Sequence, residues 1–177
     1  VIGTLAMQAV AAGIDCLIST SDKDLAQLVR PGITLVNTMS NEKLDDAGVA
    51  AKFGVRADQV LDLLTLTGDA VDNVPGVPKV GPKTAVKWLA QYDSLAGVID
   101  NAADGKGAVG DNLRQALAWL PQARVLITVK TDCDLTSHMS SICESLQAQA
   151  EDKEALVAFY ARYGFKTWLR ELAGSAA

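Results

Sequence analysis

Thr67-Gly68-Asp69-Ala70-Val71-Asp72-Asn73-Val74-Pro75-Gly76-Val77-Pro78-Lys79-Val80-Gly81-Pro82-Lys83-Thr84-Ala85 is the stretch on which the reading of this chain turns. Two carboxylates three residues apart run into a turn punctuated by glycine and proline, and that turn opens a helix bearing Lys83 and Lys87. The first half offers oxygen donors of the kind a hard divalent cation takes. The second half offers turn amides and a helix N-terminus with lysines alongside, a set suited to phosphate. Metal and phosphate addressed by one loop point to phosphodiester chemistry on nucleic acid.

Residues 76–85 have the spacing of a helix–hairpin–helix. Gly76 and Gly81 would supply backbone angles and close approach denied to other residues. Pro82 suits the first helical turn, where its missing N–H costs nothing. Val77 and Val80 are placed to pin the hairpin to its helices, and Lys83 and Lys87, four apart, share one helical face. The plain alternative is a helix-to-helix connection with solvated lysines, but glycines, proline and lysines all fall where a phosphate grip requires them.

Working outward, the N-terminal third alternates helix and strand. Residues 1–12 carry apolar side chains at helical spacing up to Gly13. Asp15-Cys16-Leu17-Ile18-Ser19-Thr20 and Ile33-Thr34-Leu35-Val36-Asn37 read as buried strands, joined by a short helix over 25–29 that Pro31-Gly32 ends. This is the pattern of a parallel α/β sheet, in which function gathers beyond the carboxyl ends of the strands. Asp22 and Asp24 fall there. In extended backbone, residues two apart point the same way, so both could face one ion. Alternatively Asp22 caps the following helix and Asp24 sits in its first turn.

From about residue 45 the chain reads as helix after helix. Asp45 and Gly54 bracket one, and Val60, Leu61, Leu63 and Leu64 mark another ending near Gly68. A third runs from Lys83 to Tyr92, and Asp93 or Ser94 caps a fourth. Residues 105–110, rich in glycine, read as a loop; 111–130 read as a long helix that Pro121 kinks or divides. One or two helices span 153–172, with the tail after Leu172 frayed. Trp88, Trp119 and Trp168 sit among helical apolar residues and read as core. Arg114, Arg124 and Lys130 could extend a DNA track, but scattered surface charge is the simpler reading. Domain-wise, residues 1–55 form the remainder of an α/β core and 56–177 a helical domain with the hairpin motif at about 74–92.

The bulk composition fits a globular protein: 49% apolar, 21% charged and no apolar run near the length of a membrane span. No secretion signal is visible, so a cytoplasmic setting is expected. Cys16, Cys133 and Cys143 lack zinc-site spacing and read as reduced thiols. The net charge of −5 is unusual for a nucleic-acid binder, but acids clustered around metal ions would leave a separate lysine patch free.

With these residues assembled, the chain resembles the flap endonuclease family, and within it the 5′-nuclease (5′-3′ exonuclease) domain of bacterial DNA polymerase I. The resemblance rests on residues 18–29, the opening motif through Ala85, Val129-Lys130-Thr131-Asp132 and Tyr163-Gly164-Phe165-Lys166-Thr167-Trp168. It implies the tail of a PIN-like sheet domain followed by a helical DNA-binding domain. It implies a Mg²⁺- or Mn²⁺-dependent nuclease acting on 5′ flaps or nicked duplex in primer removal and repair, joined to a polymerase domain in the parent chain. Asp22, Asp24, Asp69 and Asp72 match the second half of the family's carboxylate set. Gly76, Val77, Lys79, Val80, Gly81, Lys83, Thr84 and Lys87 fall on its duplex grip, which commonly holds K⁺.

By the same resemblance, further acids and the gateway for the 5′ end would lie upstream of Val1. The chain is therefore expected to be an N-terminally truncated piece with an incomplete two-metal site, binding DNA but cleaving it poorly or not at all. Position 79 is Lys where many relatives carry Gly. Two other classes compete: a helix–hairpin–helix module without catalysis, and a phosphotransferase built on Asp22 and Asp24, which leaves the hairpin unexplained.

Overall fold

The structure, a computed structural model, describes residues 1–174. Its first part follows the alternation read from the sequence. α1 (Ile2–Ala11) buries Ala6 and Ala9 and ends just ahead of Gly13, which takes a φ of +74°. β1 (Cys16–Ser19) and β2 (Ile33–Asn37) pair in parallel, Cys16 opposite Ile33 and Ser19 opposite Val36. Parallel strands need a crossover. Here it is a 3-10 turn over Lys23–Leu28, not the short α-helix expected over 25–29, and it buries Leu25, Ala26 and Leu28.

A third strand, β3 (Glu42–Leu44), runs antiparallel to β2 after a turn in which Asn41 takes a φ of +57°. The sequence does not announce it. Glu42-Lys43-Leu44 has no strand pattern of its own; pairing with residues 35–37 of β2 makes it a strand.

Capping chemistry sets the helices that follow. The Asp45 carboxylate accepts from the Gly48 N–H at 3.0 Å and opens α2 (Asp46–Phe53), and Gly54 closes it at φ +74°. α3 (Val60–Thr67) ends at Gly68. Pro82 sits in the first turn of α4 (Pro82–Tyr92). Of the two candidate caps for α5 (Leu95–Asp100), Ser94 serves, its hydroxyl accepting from the Gly97 N–H at 3.1 Å. Asp93 instead pairs with Arg56 at 2.9 Å. α6 (Gly107–Ala116) begins inside the segment read as a loop, since Gly107 at φ +67° turns the chain directly into helix. α7 (Leu120–Ile127) holds Pro121 in its first turn, so the long helix expected over 111–130 is divided there.

One contiguous hydrophobic core runs from Ala6 to Ile127 and takes in strands and helices alike. Buried Asp62 on α3 ties two further helices to it. One oxygen accepts from the Leu95 N–H at 2.8 Å, the other from the Arg124 guanidinium. Arg124 is thus a structural partner and not scattered surface charge. Arg114 is likewise engaged, donating to the Ala102 and Gly105 carbonyls at 3.0 and 2.9 Å, and Lys130 pairs with Asp132.

Two compact units are distinguished, Val1–Ile142 and the residues from Cys143 onward. The second contains α9 (Lys153–Tyr163) and α10 (Lys166–Gly174), following the short α8 (Ile142–Ser145). Phe159, Tyr160, Tyr163, Phe165 and Trp168 cluster there, with ring centroids 4.7–6.0 Å apart. Trp168 remains half exposed and is not a core residue, whereas Trp88 and Trp119 do pack on the main core. The tail expected to fray after Leu172 continues as α10 to Gly174; residues 175–177 lie outside the described residues. The three cysteines are free thiols, and among the described residues no helix is long and apolar enough to cross a membrane.

Candidate active site

The chain leaves β1 through Thr20, whose hydroxyl accepts from the Asp22 N–H at 3.0 Å. Asp22 then caps the 3-10 turn, its carboxylate accepting from the Asp24 N–H at 2.9 Å. This overturns the geometry expected from extended backbone. The capping alternative is the one realised: Asp22 is the extended residue just ahead of the 3-10 turn, and Asp24 lies in its first turn. One Asp22 oxygen is engaged by the turn, while the Asp24 carboxylate meets the Lys23 ammonium.

Asp69 arrives from 46 residues beyond Lys23 in the chain. Gly68, at φ +75°, stops α3, and β4 (Gly68–Asp69) pairs antiparallel with β5 (Val74–Pro75), Asp69 opposite Val74. Asp69 is buried, only 3% exposed. One of its oxygens accepts from the Val71 and Asp72 N–H groups at 2.8 and 3.3 Å. The other accepts from the Lys23 ammonium, which also holds Asp24 at 2.9 Å. Oxygens of Asp24, Asp69 and Asp72 all lie within 4.8 Å of one another.

Of the four aspartates singled out by sequence, three converge and Asp22 does not join them. Lys23 joins instead, a residue with no role in the sequence reading. Between two aspartates in a strand it would point away from both; the 3-10 turn brings it round to Asp24.

The two carboxylates sharing Lys23 respond in opposite directions. Lys23 is the main reason that Asp69 is held below the usual carboxylate range, against the opposing effect of burial and with help from the Val71 and Asp72 amides. For Asp24, burial outweighs Lys23 and pushes the carboxyl up. Burial pulls Lys23 down, yet its bonds to Asp69 and Asp24 more than compensate, and its ammonium is held above its ordinary range.

The hairpin follows without a break. Gly76 approaches Gly68 so closely that a Cβ on it would lie 2.3 Å from the Gly68 nitrogen. Val77 and Val80 are buried, as expected, and the Val77 N–H donates to the Leu66 carbonyl at 2.9 Å. Two side chains from later in the chain fix the loop, neither signalled by the sequence: Trp119, in the turn before α7, donates its indole N–H to the Pro75 carbonyl at 2.7 Å, and Asn112 on α6 donates to the Pro78 carbonyl at 2.8 Å.

Gly81 differs from its expected role. Its φ is −101°, and a Cβ there would meet nothing within 4 Å. The left-handed position of the turn belongs to Lys79, at φ +65°. An L side chain pays about 1–2 kcal/mol for that region, partly offset by the flexibility glycine gives the unfolded chain. Lys79→Gly is therefore expected to raise stability by about 0.5–1 kcal/mol in urea unfolding.

Lys79, Lys83 and Lys87 are exposed, and none meets an acidic partner among the described residues. Thr84, half-buried, donates its N–H to the Gly81 carbonyl at 3.0 Å. A depression of about 280 Å³ is lined by Gly68, Asp69, Asn73 and Gly76 among others, so the carboxylate loop and the start of the hairpin share one concavity.

A family model described as the 5′-3′ exonuclease N-terminal resolvase-like domain matches residues 1–54, and one described as the 5′-3′ exonuclease C-terminal SAM fold matches residues 55–154. The chain belongs to the 5′-3′ exonuclease family. Similar to it are exonuclease-family regions of larger proteins. DNA polymerase I of Pseudomonas aeruginosa is 41% identical over 180 residues, covering 97% of this chain and 19% of that protein. DNA polymerase I of Bacillus caldotenax is 32% identical over 177 residues, covering 97% of this chain and 20% of that protein. The chain thus spans about a fifth of the length of the curated relatives it matches. Among solved structures, a bacteriophage T5 flap endonuclease in a pseudo-enzyme–product complex with DNA and metal ions superposes with a TM-score of 0.66 at 16% identity, over 71% of this chain and 47% of that one. At that identity the likeness establishes a shared fold. The mixed α/β class, with a resolvase-like first part and a helical SAM-like second part, agrees with the sequence reading.

Proposed function

We propose that this chain is the carboxylate-and-hairpin portion of a metal-dependent 5′-3′ exonuclease and flap endonuclease, acting on 5′ flaps or nicked duplex DNA in primer removal and repair within a polymerase-bearing parent in the cytoplasm. The observation that carries the reading is the convergence of Asp24, Asp69 and Asp72 within 4.8 Å at the start of the loop that becomes the lysine-bearing hairpin. Family membership and the DNA- and metal-containing relative of like fold support it.

The trio fits a divalent ion. Its donors are hard carboxylate oxygens of the kind Mg²⁺ and Mn²⁺ take, and Asp69 is buried with one oxygen directed at a cation already. Asp24, Asp69 and Asp72 would hold the metal, with Asp22 fixing the turn that aims Asp24. Bound there, the ion would supply an activated water for in-line attack on a phosphodiester and stabilise the leaving oxygen. Three carboxylates are few for a two-ion centre, and they come from both parts of the chain: residues 1–55 contribute Asp24, while residues from 56 on contribute Asp69 and Asp72 together with the duplex grip. The chain by itself binds DNA and cleaves it poorly or not at all. Lys79, Lys83 and Lys87 would face backbone phosphate, with the hairpin backbone from Gly76 to Gly81 as the place where K⁺ would sit.

The test is a labelled 5′-flap duplex titrated with the chain at several salt concentrations, with and without Mn²⁺. Affinity is expected to fall linearly in log–log form, and Lys83→Ala to flatten the slope by about 0.9, one phosphate contact. Asp69→Asn is expected to remove the response to Mn²⁺ while leaving the salt slope in place. A metal response unaffected by Asp69→Asn would leave a non-catalytic hairpin module as the better reading.

A further inference from the structure

We propose that Lys23 is the resident counter-ion of the carboxylate site, occupying the metal's place on Asp24 and Asp69 and giving it up when a divalent ion binds. The inference rests on the reading of Asp24, Asp69 and Asp72 as metal ligands and goes beyond it in assigning what occupies them beforehand. Each Asp69 oxygen has a partner: the Val71 and Asp72 amides fill one, and the Lys23 ammonium fills the other. The same ammonium reaches Asp24 at 2.9 Å, so it lies between the two carboxylates that a metal would have to bridge.

The two amides belong to the loop backbone and stay where they are. Lys23 is the partner that can leave. Its side chain is 43% exposed and swings on a four-carbon stem, while Asp69 beside it is 3% exposed. A buried carboxylate stripped of its only cation is costly, so Asp69 needs either Lys23 or another cation beside it. A divalent ion on Asp24 and Asp69 would sit beside that ammonium, and repulsion between the two cations at such short range drives the lysine out. Metal affinity is therefore set by a competition within the protein, and it is weaker than three converging carboxylates would otherwise give.

The experiment compares Mn²⁺ binding, followed by the electron paramagnetic resonance signal of the free ion, in the unaltered chain and in Lys23→Met, Lys23→Arg, Asp69→Asn and Asp24→Asn, with thermal melting of each in EDTA and in Mn²⁺. Lys23→Met is expected to bind Mn²⁺ about tenfold more tightly, to melt at lower temperature in EDTA, and to regain stability when Mn²⁺ is added. Lys23→Arg, which keeps the charge, is expected to bind Mn²⁺ about as weakly as the unaltered chain, and it keeps the comparison open if Lys23→Met folds poorly without metal. Mn²⁺ binding by Lys23→Met that is unchanged or weaker overturns the proposal while leaving the metal site in place. Mn²⁺ binding that Asp69→Asn and Asp24→Asn leave untouched removes the metal site itself, and the counter-ion role with it.

Discussion

Arg124→Met is expected to destabilise the main unit by about 3–5 kcal/mol, more than replacement of its buried partner Asp62. The asymmetry follows from exposure. The Asp62 side chain is 8% exposed, so removing Arg124 leaves a buried carboxylate with only the Leu95 N–H to stabilise it. The Arg124 side chain is 44% exposed and can turn to water if Asp62 is taken away. Asp62→Leu then costs chiefly the unpaired Leu95 N–H, about 1–3 kcal/mol. The double variant Asp62→Leu with Arg124→Met is expected to be close to Asp62→Leu alone and more stable than Arg124→Met alone, a coupling that urea unfolding of the four proteins measures directly. If Arg124→Met unfolds with an unchanged midpoint, the pair is not what ties α3, α5 and α7 together.

Gly76→Ala is expected to cost about 3 kcal/mol, at the upper end of overpacking penalties, because every atom it meets is backbone. The added Cβ would lie 2.3 Å from the Gly68 nitrogen and the Thr67 carbonyl carbon and 2.6 Å from the Leu66 oxygen. None of these can rotate out of the way as a side chain could. Relief requires β4 and β5 to separate, and Asp69 is part of β4. Metal affinity is therefore expected to fall together with the melting temperature. Gly81→Ala makes the opposite case. With nothing within 4 Å of its Cβ and no side-chain cap to lose, it is expected to change stability by less than about 1 kcal/mol. Any loss of duplex affinity in that variant would then report contact between DNA and the open face of the hairpin. Equal melting temperatures for the two alanine variants would contradict the close approach of Gly76.

These effects separate what was legible in the sequence from what was not. Cap residues were legible. Asp45, Gly54 and one of the pair Asp93 and Ser94 end or open helices through bonds to backbone groups within a few residues, and Pro82 opens one through its fixed φ and missing N–H, so the chain carries that information locally. The hairpin was legible for the same reason, since Val77, Val80 and Pro82 act on their own neighbours. β3 was not, because its partner supplies the pairing. Nor were the bonds from Trp119 and Asn112 to the hairpin carbonyls, which span 44 and 34 residues.

The carboxylate site divides along the same line. Sequence by itself determined which residue types were available, an acidic pair after β1 and another after α3, and it determined the lysine-bearing hairpin that follows the second pair. Only the tertiary structure decided that Asp24, Asp69 and Asp72 converge, that Asp22 is diverted into capping, and that Lys23 lies between Asp24 and Asp69. The reason is physical. A cap or a turn closes over bonds a few residues long, whereas the meeting of Lys23 with Asp69 bridges 46 residues and depends on the packing of the core between them.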